Sequence, residues 1–199
     1  IFEHIKLPEN QFKMYWLEWK LPKPNETLSS YAKRMCEDIK HDNPVLLGVS
    51  FGGILVQEMS KYIKYNKIII VSSVKTKHEL PKRMRLLRMT KAYKMLPTQL
   101  LSNVDLLAKY AFGNTITKRI ELYKKYLSVS DKMYLDWAIQ QVVCWDQDQA
   151  LDNVIHIHGD NDKVFPFANL GACVSIKGGT HIMIINKYKW FNENLPKLI

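Results

Sequence analysis

The stretch "NPVLLGVSFGGILVQEM", residues 43–59, constrains the fold more than any other part of the chain. Residues 43–50 are a short continuous apolar run, the pattern of a strand buried on both faces. Ile54, Leu55, Met59 and Ile63 then recur at helical spacing. Ser50 stands between the two, bracketed by Gly48 and Gly52, with Gly53 behind them. Small residues on either side of a strand-to-helix turn let strand and helix approach closely. A serine on such a turn has two readings. It is an exposed nucleophile, if a base lies beside it, or it is the capping residue of a tight connection. The pattern by itself leaves both open.

The neighbouring segments set this turn in a sheet. "KMYWLEWKLP" alternates apolar and aromatic residues and ends at a proline, which predicts a strand over 14–19. Thr27 or Ser29 can cap a helix whose apolar positions include Leu28, Ala32, Met35 and Ile39. "NKIIIVSS", residues 66–73, reads as another buried strand. Residues 14–73 therefore read strand–helix–strand–helix–strand, which implies a parallel sheet with helices on its faces. Strand signals return in "NVIHIHG" (153–159) and "ACVSIKGG" (172–179), and an apolar-periodic helix over 181–198 closes the chain.

Between these parts the pattern changes. Leu86, Met89, Tyr93 and Leu96 form one helical stripe; Ile116, Ile120, Tyr123 and Leu127 form a second; Leu135, Ala138, Ile139 and Val142 form a third. The expected organisation is an α/β core over 1–74 and 146–199, with a helical cap inserted at 75–145. A length of 199 residues with 47% hydrophobic content suits one domain with a real core.

Composition narrows the setting. Cys36, Cys144 and Cys173 have the spacing of neither a zinc site nor a disulfide framework. They are expected as reduced, apolar fillers in a cytoplasmic protein that no secretory leader opens. No apolar run approaches the ~18 residues of a membrane span. The net charge of +10 favours anionic partners. Without a zinc-finger spacing or an aromatic–basic RNA-binding signature, nucleic acid is not expected. Residues 82–95 hold six basic residues and no acid. They read as a solvated cap face, or as a basic amphipathic helix making weak contact with an anionic surface without stable insertion.

Two further places carry chemistry. In "HIHGDNDKVFP", residues 156–166, a strand ends at Gly159 and Asp160 and Asp162 follow, either one placed to face a cleft. In "IKGGTHIMI", residues 176–184, His181 follows a strand and two glycines and opens the final helix. The order Ser…Asp…His, each after a strand, resembles that of the α/β-hydrolase family, and the resemblance spans nearly the whole chain. The elbow matches at Gly48–Gly52. Residues 158–166 look like the family's HG-x-x-D-x-x-x-P pattern, which selects Asp162 over Asp160, and His181 matches the glycine-preceded histidine.

The resemblance implies a three-layer α/β fold with a mostly parallel sheet and an inserted cap. It makes Ser50 the nucleophile, His181 the base, Asp162 its orienting acid and the backbone N–H of Phe51 an oxyanion donor. It also implies that the helix usually found between acid and histidine is reduced to "FANLG". The family's early strand and its glycine-rich loop, which supplies a second oxyanion donor, are expected upstream of Ile1. "IFEHIKLPEN" then reads as the helix after that loop. The expected activity is hydrolysis of a carboxylic ester or thioester of a small to medium, apolar acyl substrate through an acyl-enzyme on Ser50, with no cofactor and no metal. A non-catalytic ligand-binding protein and an amidase, peptidase or C–C hydrolase of the same fold are the alternatives.

Overall fold

In the computed structural model, residues 1–95 and 132–199 are described. Among them, β1 (Val45–Val49), β2 (Lys67–Val71), β3 (Val154–Gly159) and β4 (Val174–Ile176) form one sheet in that order. Every neighbouring pair is parallel, with Gly48 opposite Ile70, Ile70 opposite His156 and His158 opposite Ser175. Parallel register brings the C-terminal ends of β1, β3 and β4 out on one side of the sheet, where open α/β sheets place their sites.

β2 shows why its sequence is continuously apolar. Successive strand residues point to opposite faces. Ile68 and Ile70 pack with Leu28, Tyr31 and Met35 of α1 (Leu28–Cys36) and with Ile54 and Met59 of α2 (Phe51–Met59). Ile69 and Val71 pack on the other face with Ile5, Ile157 and Ile176. That second cluster also takes Met183 and Ile184 of a closing helix, and Phe191 and Leu195 of the last one. Both faces are dry, so alternation disappears from the sequence and a three-layer architecture results.

Thr27, not Ser29, caps α1: its side chain accepts from the Ser30 N–H at 3.1 Å. α1 and α2 end at Cys36 and Met59, before Ile39 and Ile63, which pack on the first cluster from the turns that follow. Buried Gln57 fastens α2 to the next connection, donating to the Val74 carbonyl and accepting from Gln147, each across about one hydrogen-bond length (2.9 and 3.1 Å).

The N-terminal expectations do not hold. Residues 14–19 form no strand, and Tyr15 and Trp16 are exposed. An alternating pattern supplies a strand's faces but not its ladder, and among the described residues β1 pairs with β2 alone. "IFEHIKLPEN" forms turns rather than a helix; Pro8 disfavours helical backbone at the residue before it, and Ile5 is instead a core residue of the second cluster.

The connection after β2 carries α3 (Lys82–Thr90) and α4 (Lys132–Cys144), with short 3-10 turns at Lys77–Glu79 and Ala92–Met95. The expected stripe of α3 is on the wrong face: Leu86 and Met89 are 60% and 81% exposed, while Met84 packs on the first cluster. Leu96 and the stripe at 116–127 lie outside the described residues. On α4 the most buried positions are Tyr134, Ala138 and Val143, with Trp137 and Val142 packed against the core. The aromatic residues, one helical step from the predicted stripe, have more apolar surface to bury.

The link from β3 to β4 contains a 3-10 turn at Phe167–Asn169 where a longer helix was expected to be lost. The closing helix is divided into α5 (Met183–Asn186) and α6 (Tyr188–Leu198). All three cysteines are free thiols, and burial pushes Cys36 up to about 11. Among the described residues, no helix is long and apolar enough to cross a membrane.

Candidate active site

β1 delivers Ser50 into a backbone conformation that few residues adopt, with φ 55° and ψ −122°. Such positions cost about 1–3 kcal/mol and persist where the surroundings enforce them. Three hydrogen bonds hold this one: the Ser50 N–H donates to the Val71 carbonyl at 2.9 Å, and the Ser50 carbonyl accepts from the Gly53 N–H at 2.9 Å and from Ser73 Oγ at 2.8 Å. A Cβ on Gly48 would stand 2.1 Å from the Gly52 carbonyl oxygen, and one on Gly53 would stand 2.5 Å from the Ser73 Cβ. Gly48 therefore lets strand and helix cross, and Gly53 lets α2 lie on β2. At Gly52 an added Cβ would meet only the Trp19 ring, at 3.9 Å, so on the helix side the tight contact belongs to Gly53.

Phe51 opens α2. The first N–H groups of a helix have no partner within it and face the positive end of its dipole. The Phe51 N–H is the first of these in α2, next to Ser50. Its ring is held between Trp19, stacked at 5.5 Å between centroids, and Trp137, edge-on at 5.7 Å.

The acid and histidine loops meet through their backbones. A Cβ on Gly159 would stand 2.2 Å from the Gly179 carbonyl oxygen, and the Asn161 N–H donates to that oxygen at 2.9 Å. This approach brings Asp162 to His181: Nδ1 of His181 is 2.9 Å from Asp162 Oδ2, and Nε2 is 2.8 Å from Ser50 Oγ. The other oxygen, Asp162 Oδ1, accepts from the backbone N–H groups of Val164 (2.7 Å) and Phe165 (3.0 Å). Phe165 is buried and its ring forms a T-shaped pair with the His181 imidazole, centroids 5.5 Å apart. Asp160, the other acid of the loop, is exposed and accepts from the Gly178 N–H at 2.7 Å.

Asp162 is 3% exposed. Burial alone works to raise its pKa, but the charge of His181 and the hydrogen bonds from His158 and His181 outweigh it and hold the carboxyl below its ordinary range. An anionic acid, an imidazole between it and a hydroxyl, and a helix N-terminus beside that hydroxyl are thus brought together, an arrangement in which the imidazole can take the hydroxyl proton. Among the described residues, no cluster of three or more His, Cys, Asp or Glu side chains is arranged to hold a metal ion.

Several contributors escaped sequence reasoning. The sequence pattern makes Trp19 the end of a strand and Ser73 part of another. His156 and His158 sit two apart on β3, which puts both rings on one face; that spacing was the available signal.

No protein-family model matches the chain, and no curated relative does. Solved structures do. The chain is similar to a hydrolase from Pseudomonas aeruginosa (TM-score 0.65, 14% identity, covering 89% of this chain and 73% of that one). It is similar to a bromoperoxidase from Bacillus anthracis (TM-score 0.61, 21% identity, 88% and 76% covered). It is also similar to the enol-lactonase from Burkholderia xenovorans (TM-score 0.63, 12% identity, 89% and 74% covered). At these identities the likeness is one of fold.

Proposed function

We propose that this chain, which has the α/β-hydrolase fold, is a serine hydrolase cleaving a carboxylic ester or thioester of a small to medium, apolar acyl substrate. One observation carries the reading: the His181 imidazole bridges Ser50 Oγ at 2.8 Å and Asp162 Oδ2 at 2.9 Å. In this mechanism Ser50 Oγ attacks the acyl carbonyl while His181 Nε2 takes its proton. The Phe51 N–H helps hold the tetrahedral oxyanion. Collapse expels the alcohol or thiol, which receives the proton from Nε2. Water, deprotonated by the same nitrogen, then releases the acid and restores Ser50. Asp162 keeps the Nδ1–H tautomer and stabilises the imidazolium that forms in each step.

The apolar acyl preference is supported by the aromatic wall of Trp19, Phe51, Tyr134 and Trp137 beside the elbow. A fluorophosphonate is expected to label Ser50, with labelling abolished in Ser50→Ala. Turnover of p-nitrophenyl esters of graded chain length measures the acyl size. Absence of both labelling and turnover overturns the proposal.

A further inference from the structure

Behind the triad, β3 holds two more imidazoles. His156 and His158 are 2% and 0% exposed. His158 Nε2 lies 2.9 Å from the Phe165 carbonyl oxygen. A carbonyl only accepts, so Nε2 carries a proton, and that proton also faces Asp162 Oδ2 at 3.2 Å. On its other side, His158 Nδ1 lies 3.1 Å from His156 Nε2.

His156 Nδ1 is buried and makes no hydrogen bond. A buried N–H without a partner is rarer and costlier than a buried acceptor without one. With its one proton on Nε2, facing the Phe165 carbonyl, a neutral His158 leaves Nδ1 to accept from His156 Nε2. Burial, His158 and the charge of Lys75 push His156 down to about 3, against the Ser73 backbone and Asp162, so this ring stays neutral.

We propose that His158 is a positioning residue of the hydrolytic site. Its Nε2–H holds the same Asp162 oxygen that receives His181, and His156 fixes its tautomer. This role rests on the serine-hydrolase reading above. Asp162 then has two backbone N–H donors on Oδ1 and His181 on Oδ2, and the His158 Nε2–H, shared with the Phe165 carbonyl, faces Oδ2 at 3.2 Å. The carboxylate cannot rotate away from His181. The His158 proton also takes up part of the charge that Asp162 would otherwise direct wholly at His181. The charged and titratable groups facing this chain of residues are Asp162, His181 and Lys75, together with Arg83 of α3, whose Nη2 donates to the Lys163 and Val164 carbonyls of the acid loop.

The test is the rate of fluorophosphonate labelling of Ser50, followed as a function of pH in the wild type and in His158→Phe. Loss of a hydrogen bond to a charged group predicts labelling slower by roughly ten- to a hundredfold. The acid limb of the profile moves to higher pH, because the full Asp162 charge makes His181 hold its proton more tightly. A merely loosened loop weakens the Asp162–His181 pair and moves that limb down. An unmoved or lowered limb in His158→Phe, with the wild type labelled, overturns this role alone. Absence of labelling in the wild type overturns the hydrolase reading and this role with it. If His158→Phe does not fold, nitrogen NMR of the wild-type histidines decides. Neutral Nε2–H rings at both 156 and 158 support the proposal. An imidazolium or an Nδ1–H tautomer at His158 overturns it.

Discussion

Trp19 lies flat against Phe51, their rings 5.5 Å apart and within 9° of parallel. Phe51 supplies the first N–H of α2, next to Ser50, so this stack fixes the wall beside Ser50. A stacked aromatic pair contributes about 0.5–1.5 kcal/mol beyond the area it buries. Trp19→Ala is expected to lower the urea midpoint accordingly. It is also expected to raise KM for long-chain p-nitrophenyl esters more than it lowers kcat. An unchanged chain-length preference would remove Trp19 from the acyl site.

Gly48 and Gly52 are predicted to respond differently to the same change. Gly48→Ala forces a Cβ to within 2.1 Å of backbone oxygen, and rigid backbone cannot yield as a side chain can. The expected cost is about 3 kcal/mol or more, seen as a large drop in melting temperature or as insoluble protein. Gly52→Ala meets only the Trp19 ring at 3.9 Å, and alanine favours a helix over glycine by about 1 kcal/mol. Its melting temperature is expected to be unchanged or slightly raised.

Ser73→Ala removes the hydroxyl that holds the Ser50 carbonyl at 2.8 Å. A net hydrogen bond of this kind contributes about 1 kcal/mol, and the lost bond supports a strained residue. Thermal melts should show that loss. The rate of Ser50 labelling should fall as well, because the elbow relaxes. A melting temperature lowered with the labelling rate intact would make Ser73 a purely structural residue.

His156 predicts an acid-sensitive fold. Its ordinary value of 6.5 is pushed down to about 3 by burial first, then by His158 and Lys75. Unfolded His156 therefore takes up a proton below its ordinary value, and folded His156 refuses it until far lower pH. The stability this residue contributes is complete above pH 6.5 and declines between there and about 3. The slope is about 1.4 kcal/mol per pH unit. Urea midpoints measured from neutral to acid pH should fall more steeply in the wild type than in His156→Gln. Parallel curves would contradict the burial of a neutral imidazole.

Much of this molecule was legible in its sequence. All four strands of the sheet, the elbow helix and the order Ser50, Asp162, His181 could be read because each depends on local rules. A strand covered on both faces must be continuously apolar, as at Ile68, Ile69 and Ile70. A sharp strand-to-helix turn must exclude a Cβ where backbones cross, as at Gly48.

What local rules do not carry was decided only in three dimensions. Residues 14–19 have a strand's alternation, yet a strand exists only through hydrogen bonds to a neighbour, and pairing is not encoded in the segment itself. The stripe of α3 has helical spacing, but which side meets the core depends on what lies beneath, and Leu86 and Met89 ended outside. Asp160 and Asp162 are two residues apart with the same chemistry. The approach of Gly159 to Gly179 turns Asp162 to His181 and leaves Asp160 to bond the Gly178 N–H. The sequence by itself determined which chemical groups were present and in what order after their strands. The packing of two loops against each other decided which groups touch, because a hydrogen bond is set by distances of a few tenths of an ångström that only tertiary contacts can fix.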